Sequence, residues 1–220
     1  MRAGDQQMLD MHAMLEDLAK KRPVFHSEAD LQHAPAREIR TQHRWLEVRL
    51  EVPPPGPAMH GHLDIGVRDQ SNALLFIEVK YKTARSAHKV REEWFRLRDQ
   101  SAQDVGRYAF LWDVARLARI AEENAGISGC AVLLSNDSKY WTPSPRREPT
   151  NDPAFRLSEG RVVEGELRWR RGPAESAKVQ QMYEPITLSG TYTLSWRDYP
   201  GTPNYGFRYL LVEVPGLNTV

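Results

Sequence analysis

Residues 61–82, GHLDIGVRDQSNALLFIEVKYK, constrain this chain more tightly than any other stretch. Two apolar-rich runs flank the polar segment Asp69-Gln70-Ser71-Asn72, the pattern of a β-hairpin closed by a short turn. Side chains alternate faces along a strand, so Glu78 and Lys80 share one side of the second strand. Centring the turn on Ser71 puts Asp64 of the first strand opposite Glu78, with Cβ atoms about 5 Å apart. Two carboxylates so placed at the edge of a core are costly unless a cation or hydrogen bonds compensate. A divalent ion such as Mg²⁺, which prefers oxygen ligands and keeps several waters, is the economical compensation.

Composition narrows the class. With 220 residues the chain can bury a substantial core without staples, and it reads as a single domain over 1–220. Basic and acidic residues nearly cancel, 30 against 29, so nucleic acid could be gripped only through local basic patches. The single cysteine, Cys130, lies in an apolar run and reads as a small buried hydrophobe. Charges throughout the first 22 residues exclude a secretory signal, and no run is long and apolar enough to span a membrane. The expectation is a soluble, cytoplasmic protein.

Met8, Met11, Leu15 and Leu18 predict an amphipathic helix over 5–21. Ser27-Glu28-Ala29-Asp30 resembles an N-cap with acids in the first turn, and Pro35 predicts that this second helix is short, kinked or interrupted. Alternation from Trp45 to Val52 predicts a strand ended by three prolines, before hairpin strands over about 62–68 and 73–82. Residues 83–100 are mixed and charged, compatible with partial helix or a loop. A long helix follows over 103–124, its apolar face drawn from Val105, Tyr108, Leu111, Trp112, Ala115 and Ala118, then a buried strand over 129–135. Helix, three strands, helix, strand reads as an α/β layered domain with a mixed sheet, the last helix a right-handed crossover to a parallel strand. Residues 137–205 read as a partly β embellishment, and FRYLLVEV at 207–214 as a closing strand of the main sheet.

With those residues in place, Asp64…Glu78-x-Lys80 resembles the signature of the PD-(D/E)xK, or restriction-endonuclease-like, nucleases, over about 25–136 plus 207–214. Leu63 replaces the proline of the literal motif. The resemblance implies a central mixed sheet flanked by helices and a Mg²⁺- or Mn²⁺-dependent phosphodiester hydrolase, with DNA the favoured substrate. It implies Asp64, Glu78 and Lys80 as catalytic residues. One or two ions would be held by Asp64, Glu78 and the Val79 carbonyl, with Glu28 of the preceding helix a further ligand. Gln103, Asp104 and Arg107 on the following helix and His62 are the supporting candidates, His62 beside Lys80 and His60 beside Lys82. Lys82, Arg85, Lys89 and Arg91 would contact nucleic acid, with Tyr81, Trp94 and Phe95 available to stack on bases.

Rivals are weaker. His60-Gly61-His62-Leu63-Asp64 begins like the metallo-β-lactamase pattern HxHxDH, but Ile65 takes the place of the last histidine and only His88 follows. There is no G-x-S-x-G elbow and no P-loop, so any energy coupling falls to a separate partner protein. Such nucleases often pair to cut two strands, which makes the helix over 5–21 a candidate homodimer surface. A catalytically inactive module of the same fold, binding nucleic acid or protein, is the competing class.

Overall fold

The computed structural model describes residues 9–56, 61–143, 150–171, 184–200 and 205–217. Asp10 caps helix α1 (Met11–Lys21) by accepting from the Ala13 N–H at 2.9 Å, and Met11, Met14, Leu15 and Leu18 bury its inner stripe. The first residues of the expected 5–21 helix lie outside the described residues. Ser27 caps α2 (Glu28–Gln42) through the Asp30 N–H at 3.1 Å. The second helix is neither short nor interrupted: α2 continues through Pro35 for 15 residues in all. The proline removes the donor that would have served the Leu31 carbonyl. Burial of Leu31, Ala34, Ala36 and Ile39 on both sides of it holds the two halves of the helix against the sheet.

Among the described residues ten strands follow: β1 (Glu47–Val52), β2 (Leu63–Arg68), β3 (Leu74–Lys82), β4 (Ser86–Val90), β5 (Glu93–Leu97), β6 (Ile127–Ser135), β7 (Val162–Leu167), β8 (Ile186–Thr193), β9 (Trp196–Asp198) and β10 (Arg208–Val214). The third helix, α3 (Gln103–Glu123), connects β5 to β6. The main sheet has the order β1-β2-β3-β6-β10-β9 and is mixed: β3 and β6 run parallel, paired from Leu74↔Ile127 to Lys82↔Ser135, and its other described pairs are antiparallel.

The β2–β3 turn is built by one side chain. The Asp69 carboxylate accepts from the Ser71 N–H at 2.8 Å, the Ser71 hydroxyl at 2.7 Å and the Ala73 N–H at 2.9 Å, while Asn72 takes a left-handed φ of 66°. Aspartate and asparagine favour such turns for these reasons. The register that results pairs Ile65 with Ile77.

Each face of the sheet carries a layer. Ile65, Ile77, Val79, Tyr81, Cys130, Val132 and Leu134 pack beneath α1 and α2. Phe76, Ala131, Leu133, Leu210 and Val212 pack beneath α3 and the β7–β8 hairpin. Residues of β3 sharing the parity of Phe76 therefore face α3, and these are Glu78, Lys80 and Lys82. Gly129 on β6 allows α3 to approach closely, because a Cβ there would sit 3.0 Å from Leu117.

Two segments differ from expectation. Residues 83–100 contain the β4–β5 hairpin rather than helix, with Phe95 and Leu97 buried in the α1/α2 layer. Within 137–205, β9 belongs to the main sheet as its edge strand beside β10. Three residues are too few for any periodicity to announce a strand.

Candidate active site

Register is what assembles the site. Extending the Ile65↔Ile77 pairing by one step carries Asp64 to the position across from Glu78. There the ladder ends, because β2 turns away from β3. In its place the Asp64 carboxylate accepts the Val79 N–H at 2.8 Å, and the Glu28 carboxylate, from the first turn of α2, accepts the Tyr81 N–H at 2.9 Å. Two acids thus satisfy consecutive outward-pointing donors on the edge of β3 that β2 has vacated. A residue's carbonyl points to the same side of a strand as its N–H, so the Val79 carbonyl opens into this gap as well. Gln32 of α2 donates to the Asp64 carbonyl at 2.9 Å and to Glu51 at 2.6 Å, fixing the start of β2 to the helix.

On the α3 side, Glu78 and Lys80 are each held by an opposite charge. Glu78 pairs with Arg116. Lys80 pairs with Asp113 at 2.8 Å, and Asp113 lies 3.7 Å from Arg116, linking the two pairs. All four side chains are largely buried. Arg116 also lies over the Trp112 ring at 5.0 Å. Its buried Nε has no hydrogen-bond partner among the described residues.

The electrostatics follow from this crowding. Burial first, then the charge of Asp113, raises the Glu78 carboxyl to about 8; Arg116 and Lys80 pull the other way, while Asp64 adds to the rise. Burial likewise raises Asp113. For Lys80 burial acts to lower the pKa, but Asp113 and the surrounding carboxylates outweigh it, and the ammonium is held more firmly than usual.

The other sequence candidates fall elsewhere. Gln103 donates to Asp137 at 2.9 Å, Asp104 accepts from the Val105 N–H at 2.9 Å, and Arg107 is buried against Asp152 at 2.6 Å. These three line a separate cleft of about 580 Å³ at the start of α3, shared with Lys139 and Thr142. Because α3 runs back along β3, the residues facing Glu78 and Lys80 lie further along it. Asp113 and Arg116 take the place assigned to Gln103, Asp104 and Arg107. Two charges three residues apart, inside a buried face made by Phe110, Val114 and Leu117, were the available signal. Trp112, expected on that face, is 42 % exposed.

His62 is exposed just before β2 and makes no hydrogen bond or ion pair with Lys80 among the described residues; His60 lies outside them. Lys82 pairs with Glu28 at 3.3 Å. Arg85, Lys89 and Arg91 are exposed along the β4–β5 hairpin, with Lys89 paired to Glu92 at 2.8 Å. Of the stacking candidates, Tyr81 and Phe95 are buried and unavailable, whereas Trp94 is 56 % exposed. Cys130 is buried, as expected.

Comparisons with protein-family models, curated proteins and solved structures each found no match. The site must therefore be read from its own chemistry. Among the described residues, no three histidine, cysteine or carboxylate side chains converge as metal ligands. A hard cation here would have Asp64, the Val79 carbonyl and one further carboxylate, with water completing its shell. That ligand-poor mode suits Mg²⁺. Glu78 meets Arg116 through one carboxylate oxygen, Oε1. Among the described residues no helix is long and apolar enough to cross a membrane.

Proposed function

We propose that the chain is a metal-dependent nuclease of the restriction-endonuclease-like type, hydrolysing phosphodiester bonds, with DNA the favoured substrate. The observation that carries this reading is the β2–β3 register, which brings Asp64 across from Glu78 with Lys80 next on the same face, at the point where the two strands part. Further support comes from topology: three antiparallel strands, a crossover helix and a parallel fourth strand, preceded by a helix whose first residue, Glu28, reaches the same edge.

Asp64, the Val79 carbonyl and Glu78 would hold the cation, with Glu28 beside them. When bound, it supplies an acidified water and a counter-charge for the phosphate. Asp64 is oriented for this by its bond to the Val79 N–H, and Asp113 fixes the Lys80 ammonium on the same face as Glu78. Arg116, freed from Glu78, would offer its guanidinium fork to phosphate oxygens.

A second reading, a catalytically inactive module, is favoured by one observation: Glu78 and Lys80 are already engaged by Arg116 and Asp113. Cleavage of a panel of labelled single- and double-stranded DNA and RNA, with Mg²⁺, Mn²⁺ or chelator, decides between them. Metal-dependent cutting that disappears in Asp64→Ala supports the nuclease. Absence of cutting on every substrate, with no thermal shift on adding metal, supports the inactive module.

A further inference from the structure

The outer side of α2 carries a basic stripe that the candidate active site does not use. His33, Arg37 and Arg40 recur at spacings of four and three, which aligns them along one side of α2, and Arg44, in the turn just past its end, lines the same cleft. All four are exposed, and among the described residues none has an ion-pair partner. The nearby acids are engaged elsewhere: Glu38 with Lys21, Asp30 with Arg22, and Glu47 with Arg49. The stripe borders a cleft of about 480 Å³ between α2 and β1, with Val48 and Leu50 forming its floor and no acidic residue in its lining. At its far end Trp45 is 58 % exposed, edge-on to His43 with ring centroids 5.1 Å apart.

We propose that this stripe is a binding track for the phosphodiester backbone of nucleic acid, leading toward the site at the start of the same helix. The track names the substrate-holding surface of the nuclease and so rests on that reading. Glu28 and His33 belong to one rigid helix, and at about 1.5 Å per residue the stripe begins roughly 8 Å along the axis from the candidate site. A chain of phosphates presents repeated charge, which two arginines one helical turn apart and a third just past the helix end can meet with forked hydrogen bonds. A folded acidic protein fits less well, because protein interfaces centre on apolar contacts and the stripe offers only Trp45 as an exposed large apolar group. Contacts of this kind position the nucleic acid without reading its sequence.

The test compares the full wild-type chain with the triple variant Arg37→Gln/Arg40→Gln/Arg44→Gln. Binding of labelled single- and double-stranded DNA and RNA is followed by fluorescence anisotropy in chelator across a salt titration. The triple variant should bind at least about tenfold more weakly at low salt, with the slope of log K against log salt reduced by about 2–3. Thermal melting checks folding, and a triple Arg→Lys variant, which keeps the charge, should retain most of the slope. Unchanged affinity and slope in the glutamine variant overturn the track, even if the chain cuts. Displacement of the oligonucleotides by poly-glutamate at equal charge concentration overturns the commitment to phosphate. Wild-type binding that depends on the stripe, with no cleavage of any substrate, keeps the track and removes the nuclease.

Discussion

At Glu78 the protein keeps a carboxyl group 2 % exposed, with Asp113 and Asp64 near enough to oppose its ionisation. The folded chain holds this proton up to about 8, whereas the ordinary value is 4.5. Stability from this group is therefore greatest at low pH and is withdrawn as pH rises through that interval. Glu78→Gln lacks the titration. Its melting temperature should gain on the wild type by roughly 10 °C between about pH 5 and pH 9. A gap that stays constant across that range would show that Glu78 ionises normally. Asp64→Asn and Lys80→Met should each lower kcat by about 10²–10³ while leaving nucleic-acid affinity in chelator within about threefold. Activity surviving either change would remove the assignment. The pairing of Asp64 with Glu78 was readable because a strand repeats every two residues and a polar turn fixes the register.

Among the elements, α2 tests how packing competes with local propensity. Pro35 argues for a broken helix, yet Ser27 caps one end and the inner side chains bury on the sheet through the whole length. Replacing it restores a donor for the Leu31 carbonyl, so Pro35→Ala should stabilise the chain by about 1–3 kcal/mol in urea unfolding. Loss of stability instead would show that the ring itself is part of the packing. The β4–β5 hairpin was hidden for a different reason. Its charged residues interleave on the solvent side, and only Phe95 and Leu97 supply the buried alternation, too short a signal to separate strand from helix. Trp94 stands on that solvent side, with Lys89 as its cross-strand partner. Trp94→Ala should leave the melting temperature within about 2 °C of the wild type and weaken binding of single-stranded DNA by about 1–3 kcal/mol. Equal binding would confine the nucleic-acid surface to other elements.

For the molecule as a whole, the distance between α3 and the sheet decides which charges meet. Gly129 sets that distance where Leu117 crosses β6. Gly129→Ala should cost about 1–3 kcal/mol through overpacking, and Leu117→Ala in the same chain should relieve part of that loss, giving a non-additive double-mutant cycle in thermal melts. Strict additivity would mean that the helix does not rest on this contact.

Local pattern determined the hairpin, its register and the shared face of Glu78 and Lys80, since each depends on alternation or turn chemistry within a few residues, and the order of elements with the handedness of crossovers determined that β6 lies parallel to β3. Only the tertiary structure decided what meets that face. Helix α3 is apolar around much of its circumference, so its sequence could not say which side turns to β3 or how far along it the contact lies. The packed sheet chose Asp113 and Arg116 and left Gln103, Asp104 and Arg107 at the other end. The stripe on α2 was likewise visible as a spacing but not as a surface. Its exposure depends on which side of the helix the core claims, and that is a property of the assembled layers.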